Sequence, residues 1–136
     1  MEQKQTKPTK PAKKEILYAS PLENEKAHEE IKMYPSLNIP FKMLKNYELE
    51  TCALISFLMD EFERSVLTGA IQNDGSFYCI HEVISINTHL SRTQTIKYKK
   101  ELIKLGWVKT KMKGSPPKEY YFLNMKEIAR KLKELE

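Results

Sequence analysis

The side chains able to do chemistry in this chain fall into three groups. Asp60, Glu61 and Glu63 crowd together as carboxylates. General acid and base work needs carboxyl groups on either side of a substrate, and neighbouring acids on one helix form its solvated face instead. His28, His81 and His89 with Cys52 and Cys79 are metal-ligating types, but their separations match no zinc-ligand spacing. They are expected in core and turn positions, and no metal or cofactor is implied. The four glycines form neither a phosphate-cradling motif nor a nucleophile elbow. Catalysis has no support, and the expectation is a binding protein, not an enzyme.

The third group is basic. Residues 91 to 118 hold nine Lys and Arg against the single acid Glu101, a local charge of +8, whereas residues 46 to 90 sum to −6. A basic block inside a globular pattern is the electrostatic footprint of a polyanion partner. The chain totals 136 residues and +5, one domain's worth, too short to set a cofactor domain beside a substrate domain. No apolar run approaches the roughly 20 residues of a membrane span, and no apolar stretch of a secretory signal opens the chain. Cys52 and Cys79 sit among apolar neighbours, as in a reduced cytoplasmic protein.

The elements that must position the basic block can be read in order. Residues 1 to about 20 are polar, with Lys at 4, 7, 10, 13 and 14, and are expected to be a disordered basic arm. Leu22 to Tyr34 has helical composition and ends before Pro35. Asn46 is the expected N-cap of a long helix from Tyr47 to about Thr68, with Glu48 and Glu50 in its first turn. That helix is apolar almost all round, as a central buried helix is, and Gly69 ends it. Asn73-Asp74-Gly75 is a turn and Phe77 to Ile80 a strand. A brief helix from His81 to Asn87 follows, burying Val83, Ile84 and Ile86. Ser91 and Gln94 have capping-box spacing, which starts a helix running to Leu105 with Gly106 as its C-terminal cap. Trp107 to Lys113 and Glu119 to Leu123 form a two-stranded ribbon. Met125, Ile128, Leu132 and Leu135 draw one stripe down a last helix, which either packs on the long helix or pairs with a second protomer.

This order, with His81-Glu82-Val83-Ile84-Ser85-Ile86-Asn87-Thr88-His89-Leu90-Ser91-Arg92-Thr93-Gln94-Thr95-Ile96 and then Glu101-Leu102-Ile103-Lys104-Leu105-Gly106-Trp107-Val108, resembles a winged helix-turn-helix DNA-binding domain. The resemblance covers roughly residues 41 to 124. One departure is that His89 stands where the family has a small residue or Gly before the Leu-Ser of the turn; histidine tolerates the left-handed region that the turn needs. The implied fold is α+β: arm and short helix at 1–38, winged helix at 39–124, C-terminal helix at 125–136.

The resemblance implies double-stranded DNA as partner, with the capped helix in the major groove. Ile96 and Ile103, flanked by Leu102, are expected to face inward, so the outward face centres on Gln94 and Lys97, flanked by Thr93, Lys104 and Glu101. Thr93, Gln94 and Lys97 would meet base edges, while Arg92 and Lys100 lie to the side and suit phosphates, and the Ser91 cap is counted with these DNA-binding residues. Glu101 opposes phosphate unless Lys97 or Lys104 neutralises it, and Lys99 lies near the inward face with a snorkelling stem. Lys109, Lys111 and Lys113 share one strand face and with Lys118 make a wing for the DNA backbone, with Trp107 and Val108 packed beneath.

Ile39-Pro40-Phe41-Lys42-Met43-Leu44, Asp74-Gly75-Ser76-Phe77-Tyr78 and Pro117-Lys118-Glu119-Tyr120-Tyr121-Phe122-Leu123-Asn124 look like the DNA-binding domains of phage and plasmid replication initiators. That implies origin or operator binding at repeated sites. Two alternatives stand beside it: a small dimeric transcriptional regulator, and a winged helix that binds a protein partner in a replication or conjugation complex. A homodimer built on the long and last helices is expected.

Overall fold

A computed structural model describes residues 20–33 and 37–135. The chain divides into two units, Met1–Ser36 and Leu37–Glu136. The disordered arm expected over residues 1 to about 20 lies, apart from Ser20, outside the described residues. In the first unit, α1 (Pro21–Lys32) opens on a capping box. The Glu23 N–H donates to Ser20 Oγ at 3.3 Å, and the Ser20 N–H donates to Glu23 Oε1 at 2.9 Å. Pro21 suits the first helical position, where a missing N–H loses no helical bond. The helix thus begins one residue before the expected Leu22 and ends at Lys32, and none of its residues is buried.

The second unit runs α2 (Phe41–Asn46), α3 (Leu49–Thr68), β1 (Phe77–Tyr78), α4 (His81–Thr88), α5 (Arg92–Lys104), β2 (Val108–Lys113), β3 (Lys118–Leu123) and α6 (Met125–Glu134). It is α+β, with an antiparallel sheet in the order β1-β3-β2. The start of α3 corrects the expectation. Asn46 is not its cap but the last residue of α2, and its amide donates back to Lys42 O at 2.8 Å. Pro40 starts α2 early enough to consume residues 41–46. The chain then needs extended Tyr47 and Glu48 before it can turn into α3. The Cys52 thiol donates to Met43 O at 3.4 Å and ties the two helices together.

α3 is the hub, packing against α2, α4, α5, β1 and β3. Its first half buries Cys52, Leu54, Ile55, Phe57 and Leu58 together with Thr51 and Ser56, while Val66 and Leu67 near its end are exposed. Gly69 closes it at φ 77°. Met43, Phe77, Ile84, Leu102 and Trp107 complete the centre of the core, with the Tyr47 ring edge-on to Trp107 at 5.1 Å between centroids.

Two more expectations change, and one left open is decided in part. The strand expected over Phe77–Ile80 has only Phe77 and Tyr78, and it joins the ribbon through Phe77↔Tyr121 and Tyr78↔Tyr120 to make three strands. Ile86, expected inside, is 72% exposed, because α4 turns only Ile84 fully inward and Val83 partly. In α6 Ile128 is buried and Leu132 half-buried within the unit, so the centre of the stripe packs against its own core. Among the described residues no helix is long and apolar enough to cross a membrane.

Candidate functional site

The site is built from a tight turn upward. α4 ends at His89, which takes φ 61° and ψ 17°, and its N–H donates to Ser85 O at 2.8 Å. The Ser85 hydroxyl reaches across the turn to Leu90 O at 2.6 Å. Thr88 Oγ1 donates to Ile84 O at 2.7 Å and accepts from the Leu90 N–H at 3.3 Å. Leu90 itself is buried in the core. Short hydroxyl side chains thus satisfy the backbone where the chain reverses, and the turn fixes where α5 begins.

The expected capping box at α5 is present in both halves. The Gln94 N–H donates to Ser91 Oγ at 3.1 Å, and the Ser91 N–H to Gln94 Oε1 at 2.9 Å. This engages the Gln94 carbonyl oxygen, which a bidentate pairing with adenine would also require as its acceptor.

The rotation of α5 differs from the expectation. Thr95, Tyr98 and Leu102 are its buried residues, whereas Ile96 and Ile103 are 42% and 43% exposed. At about 100° per residue the inward direction therefore lies roughly 100° from the face that two isoleucines marked. The threonine methyl and the tyrosine ring are apolar bodies behind polar labels, and they pack. Thr93, Ile96, Lys97, Lys100, Glu101 and Lys104 line one open groove on the solvent side. Lys100, expected at the side, is central, and Gln94 moves to the flank. Among the described residues no ion pair engages Arg92, Lys97, Lys100 or Lys104, so their charge is available to an incoming polyanion, and none neutralises Glu101, which lines the same groove and opposes phosphate.

Lys99 ties this helix to the sheet, a coupling the sequence does not display. Its ammonium is 2.8 Å from Glu119 Oε1 and lies over the Tyr121 ring at 5.7 Å. The Tyr121 hydroxyl donates to the same Glu119 oxygen at 3.4 Å. Burial, reinforced by the Glu119 charge, pushes the Tyr121 phenol well above its usual range.

On the ribbon, the register Lys109↔Phe122, Lys111↔Tyr120 and Lys113↔Lys118 puts all four lysines on one side. They are not equivalent. Lys109, Lys111 and Lys118 form no ion pair among the described residues. Lys113 is clamped by Asp74 Oδ2 at 2.7 Å and Ser76 Oγ at 2.8 Å, so its charge is already met, contrary to its expected place among the free wing lysines. The Lys113 ammonium and the Ser76 donors hold the Asp74 carboxyl well below the usual carboxylate range. Trp107 and Val108 are buried beneath the strands as expected. Among the described residues no group of three or more His, Cys, Asp or Glu side chains is placed to hold a metal ion.

No protein-family model and no curated protein sequence matches the chain. Solved structures do. One, described as "N-Terminal domain of DNA binding protein", superposes with a TM-score of 0.55 at 20% identity, covering 88% of this chain and 95% of that one. Another, described as "Structure of Rep-DNA complex", has a TM-score of 0.54 at 18% identity, covering 88% and 98%. At such identities the likeness establishes a shared fold.

Proposed function

We propose that this chain is a double-stranded DNA-binding protein of winged helix-turn-helix type, acting in replication initiation, and that it is not an enzyme. The observation that carries the proposal is the groove on α5: Thr93, Lys97, Lys100 and Lys104 face solvent on a helix whose first turn is capped and anchored by a rigid turn. A helix offered in this way fits the major groove. Lys97 and Thr93, in its first turns, are the base-edge candidates; Arg92, Lys100 and Lys104 are placed for phosphates. Lys109, Lys111 and Lys118 extend the positive surface onto the ribbon. The fold shared with a structure described as a Rep-DNA complex supports the replication reading over transcriptional regulation. Pairing of two copies is proposed at the groove where Met59, Phe62, Val66 and Met125 lie with Pro40 beside Asp60 and Glu63, and sedimentation at rising concentration tests it.

The functional test is fluorescence anisotropy with a random duplex and with fragments flanking the protein's own gene, at several salt concentrations. The expected result is preference for one fragment and a log–log salt slope of about −4 or steeper. Lys100→Ala should weaken every duplex and flatten that slope by about 0.9, while Lys97→Ala should reduce preference for the selected fragment by about 1 to 3 kcal/mol. No salt-sensitive binding to any duplex would overturn the proposal.

A further inference from the structure

We propose that the outer face of the three-stranded sheet, whose lysines also extend the duplex-binding surface, takes single-stranded DNA whose bases are unpaired. That the strand is DNA rests on the duplex-binding reading above; the stacking surface itself rests on the sheet. Cross-strand register sets Tyr78 beside Tyr120 and Lys109 beside Phe122, all on the side opposite the buried Phe77 and Tyr121. Tyr78 is 40% exposed, with its ring centroid 5.6 Å from that of Tyr120. Each ring has an ammonium near it: Lys118 at 5.1 Å from Tyr78, Lys113 at 4.4 Å from Tyr120 and Lys109 at 4.9 Å from Phe122.

The mixture decides the occupant. A duplex shows phosphates and keeps the faces of its bases stacked inside, so it would use the lysines and leave the rings idle. A protein partner is met at the centre of an interface by apolar surface poor in charge, whereas the paired positions of this face alternate rings with lysines, and the aliphatic Ile103 and Leu123 lie only at its edge beside Lys109 and Phe122. Unpaired bases stack on aromatic rings while adjacent ammoniums take the phosphates, the combination that nonspecific single-strand binders use. When a base covers a ring, the ammonium above it swings to the neighbouring phosphate. Lys109 and Lys118 are available for this, since no ion pair holds them among the described residues.

The test is anisotropy of a labelled oligothymidylate of about 15 nucleotides with the whole chain, run beside a duplex. The wild type should bind the oligothymidylate. Tyr78→Ala should weaken that binding by at least about fivefold and leave duplex affinity unchanged, and Tyr120→Phe, which keeps the ring, should retain both. Lys100→Ala should do the reverse of Tyr78→Ala, losing duplex affinity alone. Failure of the wild type to bind oligothymidylate overturns the proposal. So does an unchanged affinity in Tyr78→Ala, or an equal loss on duplex and single strand. Tighter binding of an oligouridylate of the same length overturns the assignment to DNA. An unaffected duplex affinity in Lys100→Ala counts against the function proposed for α5 and leaves the sheet result standing.

Discussion

Replacing Thr95 by Val should stabilise the protein, and the reason tests the rotation of α5 on which the proposed interface depends. Thr95 is 2% exposed, and its hydroxyl is buried without a hydrogen-bond partner. A buried hydroxyl left unpaired costs about 1 to 3 kcal/mol. Val has nearly the same shape, is likewise β-branched, and has almost the same helix propensity, so little opposes the gain. The expected gain is about 1 kcal/mol. With a urea dependence of about 2 kcal/mol per molar, that raises the unfolding midpoint by roughly 0.5 M. Ile103→Ala is the counterpart. At 43% exposure it should cost well under the roughly 2 to 5 kcal/mol that truncating a fully buried isoleucine costs. Equilibrium urea unfolding followed by far-UV circular dichroism measures both. A lowered midpoint for Thr95→Val together with a loss above about 2 kcal/mol for Ile103→Ala would refute the rotation. It would also return Gln94 to the middle of the outward face.

Four further outcomes follow from named residues. His89→Val should destabilise by more than about 1 kcal/mol in the same urea assay, because a β-branched residue fits the left-handed backbone poorly, whereas His89→Gly should be neutral or stabilising. Asp74→Asn should free the Lys113 ammonium and steepen the salt dependence of duplex binding by about 0.9; an unchanged slope would show that Lys113 is not reached by DNA. Because the folded carboxyl of Asp74 is held below its usual 3.8, its contribution to stability is complete above that value and is lost only as the pH falls through the lower folded value. Burial, with a smaller effect of the Glu61 charge, pushes the Cys79 thiol up to about 12, so at neutral pH an alkylating reagent should modify it only after unfolding, its rate tracking the urea transition.

Local rules account for what was legible in the sequence. Ser91 and Gln94 lie three residues apart, and a capping box needs nothing else, so the start of α5 was readable to the residue. Gly69 and Gly106 marked helix ends because they supply positive φ, and His89 was expected in the left-handed conformation that it adopts. The clustering of basic residues needs no structure to be counted. Ser20-Pro21-Leu22-Glu23 obeys the same capping rule, so the start of α1 was present in the sequence as well.

Tertiary structure decided which way these elements face. Hydrophobicity scores each side chain as a whole, so Ile96 and Ile103 outweighed Thr95 and Tyr98 when α5 was read alone. The packed core took the methyl and the ring, leaving Ile96 in the lining of the groove and Ile103 part-exposed beside the ribbon. Asn46 is an excellent cap by type, but α2 had already used its backbone for a turn of helix. The pairing of β1 with β3 joins residues more than forty positions apart, and the Lys113–Asp74 and Lys99–Glu119 contacts span 39 and 20. Sequence spacing has no means of announcing such partners. The composition of this chain determined that it would carry positive charge on a capped helix and a ribbon; only the fold decided which lysines are spent on its own carboxylates and which remain for another molecule.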